Sequence, residues 1–250
     1  MSDFKQLSRS VKGLTVLVTG AASGMGRATA LVFAADGANV AVTDINAEAT
    51  QAVAGEITAK GGAAKAWTLD VADRDSITAV VNDVAAHFGG LDIIVNNAGI
   101  SVRVAIDDEG YEEAWAKALA VMLTAHPRII RAALPYLRRS KSPRIVNIAS
   151  TEALGATALH SPYSAAKAGV AGLTRSLAVE LGRDGITVRN ITRCAPSGRH
   201  RPQSRRRSGR KRRAGTGSAS YGRLPQGSRN GRARCGAWHK WTCAPPISAR

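Results

Sequence analysis

The chain has 250 residues and a formal net charge of +17, with 35 Lys and Arg residues and 18 Asp and Glu residues. The charge is uneven, because residues 193–250 contain 16 of the basic residues, all three cysteines and no acidic residue. Residues 1–192 are nearly neutral and lack cysteine, which excludes a disulfide framework there. The polar N-terminus and the absence of an apolar run of roughly 20 residues argue against a secretory signal and a membrane span. We therefore expect a cytoplasmic protein.

Strand-like and helix-like segments alternate along the first 192 residues. Strands are predicted at 14–18, 39–43, 64–69, 91–95, 144–148 and from 186, and helices at 24–35, 47–60, 73–88, 111–137 and 162–181. Strands that are apolar on both faces and separated by helices indicate a parallel sheet that is covered on both sides. Right-handed crossovers make this an α/β fold with a doubly wound, Rossmann-type sheet, whose ligand lies at the carboxyl ends of the strands.

A glycine-rich segment, TGAASGMG at residues 19–26, links the first predicted strand to the first predicted helix. Gly20, Gly24 and Gly26 permit a tight turn and a close approach of the backbone to a ligand. The free N–H groups and positive dipole end of the helix then favour a pyrophosphate. A turn without a ligand is the alternative, but the strand–turn–helix context is the one that dinucleotide binding requires.

Asp44 ends the second predicted strand, 18 residues after Gly26. Its carboxylate can accept hydrogen bonds from the hydroxyl groups of an adenosine ribose and would repel a 2′-phosphate. No Lys or Arg lies between Gly20 and Gly26 to attract that phosphate. Both observations favour NAD over NADP, and the alternative for Asp44 is a solvated loop carboxylate.

Three polar residues around the fifth predicted strand form a candidate catalytic set. Ser150 follows the strand, and Tyr163 and Lys167 stand four residues apart at the start of the next helix. Ser161 is the expected N-cap of that helix and Pro162 its first residue. A Lys ammonium beside a phenol favours the phenolate, which can exchange a proton with an alcohol or carbonyl oxygen. Taken alone, a Tyr and a Lys at this spacing are more often a helix-surface pair.

Together, TGAASGMG, NNAG at residues 96–99, Ser150 and YSAAK at residues 163–167 resemble the motifs of the short-chain dehydrogenase/reductase family. Ser150 also stands 13 residues before Tyr163, as it does in that family. The resemblance covers about residues 10–188. It implies an enzyme that interconverts a small secondary alcohol and a ketone with a nicotinamide cofactor.

The resemblance also implies a role for each matching residue. Tyr163 would be the general acid/base, Lys167 would bind the nicotinamide ribose and favour the phenolate, and Ser150 would polarise the substrate oxygen. The residues implied at the cofactor are Gly20, Ser23, Met25 and Gly26 in the glycine-rich turn, Asp44 at the adenosine ribose, Asp70 and Val71 at the adenine, and Asn97. With an intact C-terminus, the helix rich in small residues at 165–172 and the helix before it would form a homodimer or homotetramer interface.

Met122 departs from the family pattern, because this position usually holds an Asn that supports a water in the proton relay. A thioether cannot replace the donor and acceptor of a carboxamide. We therefore expect the relay to run differently, or catalysis to be weakened.

Other polar residues receive a simpler interpretation. His87, His126 and His160 show no metal-ligand spacing, so no metal site is predicted. Arg103 and Glu152 lie near the expected substrate cleft, and the sequence assigns them no role.

Residues 193–250 do not continue the family pattern, which calls for a Pro-Gly loop, a substrate lid, a helix and a final strand. They form an Arg-, Ser- and Gly-rich sequence instead. We assign residues 1–192 to a C-terminally incomplete NAD-binding catalytic domain. We expect residues 193–250 to be a basic tail that is disordered or translated out of frame.

Three interpretations of this tail remain open. A frameshift in a GC-rich gene would give this composition, and one permitted back-translation of residues 193–202, read one base later, gives GAPRRAVTDP, similar to the family's loop. A functional basic tail would bind nucleic acid, centred on residues 205–207 and 210–213. A disordered tail without a role is the third. In each case the missing lid predicts low solubility, impaired assembly and little dehydrogenase activity.

Overall fold

The predicted alternation of strands and helices is present in a computed structural model, which describes residues 10–192. The strands are β1 (Thr15–Thr19), β2 (Asn39–Asp44), β3 (Ala63–Thr68), β4 (Ile93–Asn96), β5 (Arg144–Ile148) and β6 (Thr187–Ile191). The helices are α1 (Gly24–Ala35), α2 (Ala47–Ala59), α3 (Arg74–Phe88), α4 (Tyr111–Leu119), α5 (Ala125–Leu137) and α6 (Ser161–Gly182). A π-helical segment (Ala120–Thr124) joins α4 to α5, and a 3₁₀ turn (Thr151–Ala153) follows β5.

All six strands are parallel, in the order β3-β2-β1-β4-β5-β6. The chain moves outward from β1 to β3 and then returns to place β4 on the other side of β1. The order therefore reverses between β1 and β4, at the point where doubly wound sheets bind their ligands. The fold class predicted from the sequence is confirmed.

Two apolar layers bury the sheet. On one face, α1 and α2 pack against alternate strand residues, with Ala30 and Ile57 close to the sheet. On the other face, α3, α5 and α6 cover the remaining residues, including Ile94 and Ile145. Val16, Leu17 and Val18 of β1 are fully buried, because successive side chains of a central strand point to opposite covered faces.

Side-chain caps and a glycine define the ends of two helices. The Asn46 side chain accepts a hydrogen bond from the Ala49 amide (3.0 Å) at the start of α2. The Asp73 side chain accepts one from the Asp75 amide (2.9 Å) at the start of α3. Gly89 ends α3 with a φ of 81°, a left-handed conformation that glycine adopts without steric cost.

The predicted helix at 111–137 is interrupted. The π-helical segment inserts an extra residue into the turn around Met122, whose side chain is fully buried. Close packing accompanies this change, because a Cβ on Gly169 of α6 would lie only 2.7 Å from Leu123 Cδ2. The small residue at position 169 thus lets α6 approach the π-helical segment closely.

Strand β6 forms one edge of the described sheet. Its Val188 is buried against α6, whereas its other four residues are exposed, including Ile191 at 50%. The predicted tail, residues 193–250, lies outside the described residues.

Candidate active site

The glycine-rich turn lies between β1 and α1, at the reversal point of the sheet. Gly20 and Gly24 have φ values of +64° and +52°, in the left-handed region that favours glycine. A Cβ on Gly26 would lie 2.0 Å from Gly20 O and 2.5 Å from Asn97 Nδ2. Position 26 therefore admits no side chain, and the turn brings backbone N–H groups close to the surface of the cleft.

The first turn of α1 presents free backbone donors. Ser23 is the N-cap residue, but its side chain makes no capping hydrogen bond. The first amides of a helix have no intrahelical acceptor, and they carry the positive end of the helix dipole. This turn fits an anionic pyrophosphate, and the sequence signal for it was the TGAASGMG motif.

Asn97 ties the glycine-rich turn to β4. Its Nδ2 donates to Thr19 O (2.9 Å) and Gly20 O (3.1 Å). The Thr19 hydroxyl accepts from the Asn97 and Ala98 amides, both at 3.0 Å. Thr19 is buried, and its bracing role was not predicted because the partners are almost 80 residues apart in sequence. Asn97 also lines the central cavity.

Asp44 lies at the carboxyl end of β2, beside the same turn. Its Oδ2 accepts from the Ala22 amide and its Oδ1 from the Asn46 amide, both at 3.1 Å. These bonds fix the orientation of the carboxylate at the edge of the cleft. The structure thus brings Asp44 next to the glycine-rich turn, as the spacing from Gly26 predicted.

Asp70 and Val71 follow β3 and lie beside Asp44, since the Leu69 amide donates to Asp44 O (2.8 Å). Asp70 Oδ1 accepts from the Ala72 amide (2.8 Å), and Val71 is 7% exposed within the core. Neither residue lines the central cavity described below.

Ser150, Tyr163 and Lys167 come together where β5 and α6 meet. The Lys167 Nζ atom lies 5.8 Å from the centre of the Tyr163 ring. Ser150 Oγ accepts from the Glu152 amide (3.2 Å), so its own hydrogen stays free to donate. All three side chains line one cavity, and the i, i+4 spacing on α6 correctly predicted that Tyr163 and Lys167 share a helix face.

The start of α6 differs from the prediction in one detail. The helix begins at Ser161, and His160 is its N-cap residue without a side-chain cap. The Ser161 hydroxyl instead forms a hydrogen bond with the Tyr111 hydroxyl (3.0 Å), linking α6 to α4.

Lys167 is buried, with 4% exposure, and its Nζ donates to Ile148 O (2.7 Å). Burial lowers the pKa of Lys167 from 10.5 to about 8, because a low-dielectric interior disfavours the charged form. The ammonium form of Lys167 therefore predominates at neutral pH. Because the pKa lies close to neutral pH, a small change in the surroundings of Lys167 alters its charge.

One cavity of about 870 Å³ connects these groups, within the size range of small-molecule sites. It runs from the glycine-rich turn to the catalytic set. Its lining residues are Gly20, Ser23, Gly24, Met25, Asp44, residues 97–102, residues 148–152, Thr157, His160, Tyr163 and Lys167. The cavity therefore joins an anion-binding turn, a fixed carboxylate and the Ser-Tyr-Lys set. Together these groups fit a dinucleotide and a small substrate.

Glu152 and His160, to which the sequence assigned no role, also line this cavity. Glu152 accepts hydrogen bonds from the Thr157 hydroxyl (2.7 Å), the Thr157 amide (2.9 Å) and the Ser164 hydroxyl (3.1 Å). The Thr157 hydroxyl, followed by Ser164, lowers the pKa of the Glu152 carboxyl. Glu152 thus braces the loop beside Tyr163 as a carboxylate.

A neighbouring cavity of about 600 Å³ shares residues 100–102 with the central one. Arg103 and Lys117 line it together with Glu113. Arg103, which the sequence placed near the substrate cleft, therefore lies beside the central cavity rather than within its lining.

Within residues 10–192, no group of His, Cys, Asp and Glu side chains is arranged to hold a metal ion. No helix in this part of the chain combines the length and apolar character needed to cross a bilayer.

Comparison with known proteins places this site in a family. The sequence model of the short chain dehydrogenase family matches residues 14–199. A (2S)-[(R)-hydroxy(phenyl)methyl]succinyl-CoA dehydrogenase subunit of Thauera aromatica is 40% identical over 192 residues, 77% of this chain and 75% of that protein. A D-threitol dehydrogenase of Mycolicibacterium smegmatis is 39% identical over 180 residues, 72% of this chain and 69% of that protein.

A solved structure gives the same assignment. The crystal structure of a short chain dehydrogenase from Mycobacterium smegmatis is 35% identical and superimposes with a TM-score of 0.70, covering 73% of this chain and 77% of that one. Sequence and fold therefore agree. The chain belongs to the short-chain dehydrogenase family and is an NAD(P)-dependent oxidoreductase by that membership.

Proposed function

We propose that residues 10–192 form the catalytic domain of an NAD-dependent dehydrogenase that interconverts a secondary alcohol and a ketone, with Tyr163 as general acid/base. The observation that carries this proposal is the single cavity in which Tyr163 and Lys167 stand side by side with Ser150. The cavity continues to the glycine-rich turn and Asp44, so a cofactor and a substrate would meet at Tyr163.

The three catalytic candidates have complementary tasks. The Lys167 ammonium lies 5.8 Å from the Tyr163 ring centre and so places a positive charge beside the phenol. The phenolate accepts the hydroxyl proton of the alcohol, and the phenol returns it to the carbonyl oxygen in the reverse direction. Ser150 donates its free hydrogen to the same substrate oxygen, which stabilises the charge that develops there.

The cofactor supplies or accepts the hydride when it is bound. Backbone N–H groups at Gly20, Ser23 and Met25 would hold the pyrophosphate, with the close approach of Gly26 to Gly20 keeping the turn tight. Asn97, which lines the cavity, would contact the cofactor, and Lys167 the nicotinamide ribose. Asp70 and Val71, next to Asp44 at the end of β3, would lie at the adenine.

Asp44 supports NAD rather than NADP. Two backbone amides hold its carboxylate at the cleft edge, where it can accept hydrogen bonds from ribose hydroxyls. A 2′-phosphate would meet a fixed negative charge. Arg27, the basic residue nearest in sequence to the turn, pairs with Glu56 on α2 and is thus engaged elsewhere.

The test of this proposal combines turnover with cofactor binding. The purified full-length chain is assayed with NAD⁺ and a panel of secondary alcohols, following NADH absorbance, and NADH binding is followed separately by fluorescence. Tyr163→Phe should lose about 100-fold or more of the turnover while binding NADH normally. Tyr136→Phe is the matched control, because the Tyr136 hydroxyl donates to Asn82 away from the cavity. NADH binding without any turnover, unaffected by Tyr163→Phe, would instead indicate a cofactor-binding protein that is catalytically silent.

We further propose that, with an intact C-terminus, the domain would assemble as a homodimer or homotetramer through α4–α6. Outward-facing residues of α6 include Ala168 and Val179, the latter 80% exposed, and such a surface suits helix-to-helix packing. Light scattering after size exclusion of a chain with the Pro-Gly loop and C-terminus restored tests this, and a monomer at all concentrations would contradict it.

For residues 193–250 we favour a frameshift over a nucleic-acid-binding tail. The family match ends at residue 199, close to where the acid-free composition begins. Sequencing genomic DNA across codons 185–200 tests this: one inserted or deleted base should restore a Pro-Gly loop. If the frame stands, nucleic-acid affinity that falls steeply with salt and disappears on deletion of 193–250 would support the alternative.

A further inference from the structure

A buried histidine beside the active site has no part in the proposed reaction. His126 lies in the first turn of α5, is 2% exposed, and neither of its ring nitrogens has a hydrogen-bond partner among the described residues. Folded proteins rarely leave such groups unsatisfied, and ordered internal water is the usual partner where protein atoms are lacking. Internal water is therefore the partner to be tested for at the His126 ring.

A second unsatisfied atom lies on the same side of the sheet. Asn96 Nδ2 donates to Asn147 Oδ1 (2.8 Å), Asn147 Nδ2 donates to Thr174 Oγ1 (2.9 Å), and Thr174 Oγ1 donates to Val170 O (2.8 Å). This chain of bonds runs from β4 through β5 to α6, yet Asn96 Oδ1 has no partner in residues 10–192. Helix α5, which carries His126, packs on both β4 and β5.

Lys167 approaches this region from α6, two turns before Thr174. Its ammonium has three donors, and one of them is used by Ile148 O. No carboxylate of the described residues forms an ion pair with it. Burial, with a further contribution from the nearby Lys167 charge, lowers the pKa of His126 to about 3. The ring is thus neutral at physiological pH, with one nitrogen free to accept a hydrogen bond.

We propose that His126 is a positioning residue for Lys167: through internal water, its ring accepts a hydrogen bond that originates at the Lys167 ammonium, and the same water donates to Asn96 Oδ1. The hydrogen-bond count of one water matches these three groups, since it would accept from Lys167 and donate its two hydrogens to His126 and Asn96. The arrangement satisfies two of the three orphaned atoms. It also stabilises the ammonium where desolvation opposes it. The inference rests on the proposed role of Lys167.

The test is the titration of Lys167 itself, followed by NMR in the full-length chain containing ¹³Cε-lysine, with the Lys167 signal assigned through Lys167→Met. His126→Leu should lower the pKa of Lys167 by about one, because the charged form loses its acceptor. His126→Gln keeps a hydrogen-bond acceptor, so the pKa of Lys167 should stay close to that of the unaltered chain. His87→Leu, at an exposed position on α3, is the matched control and should leave Lys167 unchanged.

Turnover gives a second readout. In His126→Leu, the apparent pKa of the alkaline limb of the kcat–pH profile should fall by the same amount as the pKa of Lys167. KM for the alcohol should stay within about twofold of that of the unaltered chain. An unchanged Lys167 titration in folded His126→Leu overturns the inference. Absence of turnover in the unaltered chain counts against the proposed function. The NMR titration of Lys167 then still decides the inference about His126.

If His126→Leu does not fold, a crystal structure of the unaltered chain decides. A water within about 3.2 Å of both a His126 ring nitrogen and Lys167 Nζ is expected. A ring surrounded only by carbon atoms would overturn the inference.

Discussion

Replacing Lys167 with Met should make the protein more stable while removing its catalytic function. Lys167 is 4% exposed and no described carboxylate pairs with it, so its charge is held in the interior at a free-energy cost. Met has a similar length and no charge, and it can occupy the same space. Such a gain in stability at the expense of function is common at active sites.

The magnitude follows from linkage. Burial lowers the pKa of Lys167 from 10.5 to about 8, which corresponds to about 3 kcal/mol of destabilisation at neutral pH. Lys167→Met also removes the hydrogen bond to Ile148 O, and leaving that carbonyl unsatisfied costs about 1–2 kcal/mol. The free energy of unfolding of Lys167→Met should therefore exceed that of the unaltered chain by about 1–2 kcal/mol.

The stability difference between the two proteins should depend on pH. The folded state binds fewer protons at Lys167 than the unfolded state between the folded pKa of about 8 and the unfolded value of 10.5. The unaltered chain should thus gain stability as pH rises through this window, and Lys167→Met should lack that gain. The difference between the two proteins should be largest below pH 8 and should shrink above it.

Urea unfolding followed by circular dichroism at several pH values measures both effects. Lys141→Met, at an exposed position outside the cavity, is the control for a general effect of removing a positive charge. The reasoning is refuted if Lys167→Met is less stable than the unaltered chain at pH 7, with a difference that does not vary between pH 7 and 10.

Three further substitutions and one pH effect test other parts of the structure. Gly26→Ala should abolish NADH binding measured by fluorescence, because its Cβ would lie 2.0 Å from Gly20 O. Asp44→Asn should reduce the preference for NADH over NADPH by about tenfold or more, which competitive binding would detect. Asn147→Ala should lower the free energy of unfolding by about 2–3 kcal/mol, because it removes two buried hydrogen bonds and leaves Asn96 Nδ2 without its acceptor. Stability should fall as pH drops from 6.5 toward 3, because the unfolded chain binds a proton at His126 in this window while the buried ring stays neutral. His126→Leu should show a shallower fall in acid denaturation.

The sequence predicted the sheet well, because its signals are local. Six apolar segments, the first five each followed by a helical pattern, require only the periodicity of short stretches. The predicted strand ends differ from those observed by no more than two residues. The glycine-rich turn was equally clear, since the close contact of Gly26 with Gly20 involves neighbours in the chain.

Features that depend on distant partners were missed. The π-helical segment around Met122 continues the apolar pattern of a regular helix, and its packing against Gly169 appears only in three dimensions. Ser161 looked like an N-cap, but its hydroxyl bonds to Tyr111, 50 residues away. The buried pair Asn96 and Asn147 likewise depends on the register of β4 and β5.

The most direct test of the central claim is hydride transfer itself. The full-length chain is incubated with NADH carrying deuterium at C4 and a panel of ketones, and the alcohols are examined by mass spectrometry. We predict deuterium on the carbinol carbon with the unaltered chain, at the low rate expected from the missing substrate lid, and its near-complete loss with Tyr163→Phe despite normal NADH binding. Equal deuterium transfer by Tyr163→Phe, or none by an unaltered chain that binds NADH, would contradict the assignment of Tyr163 as the general acid/base.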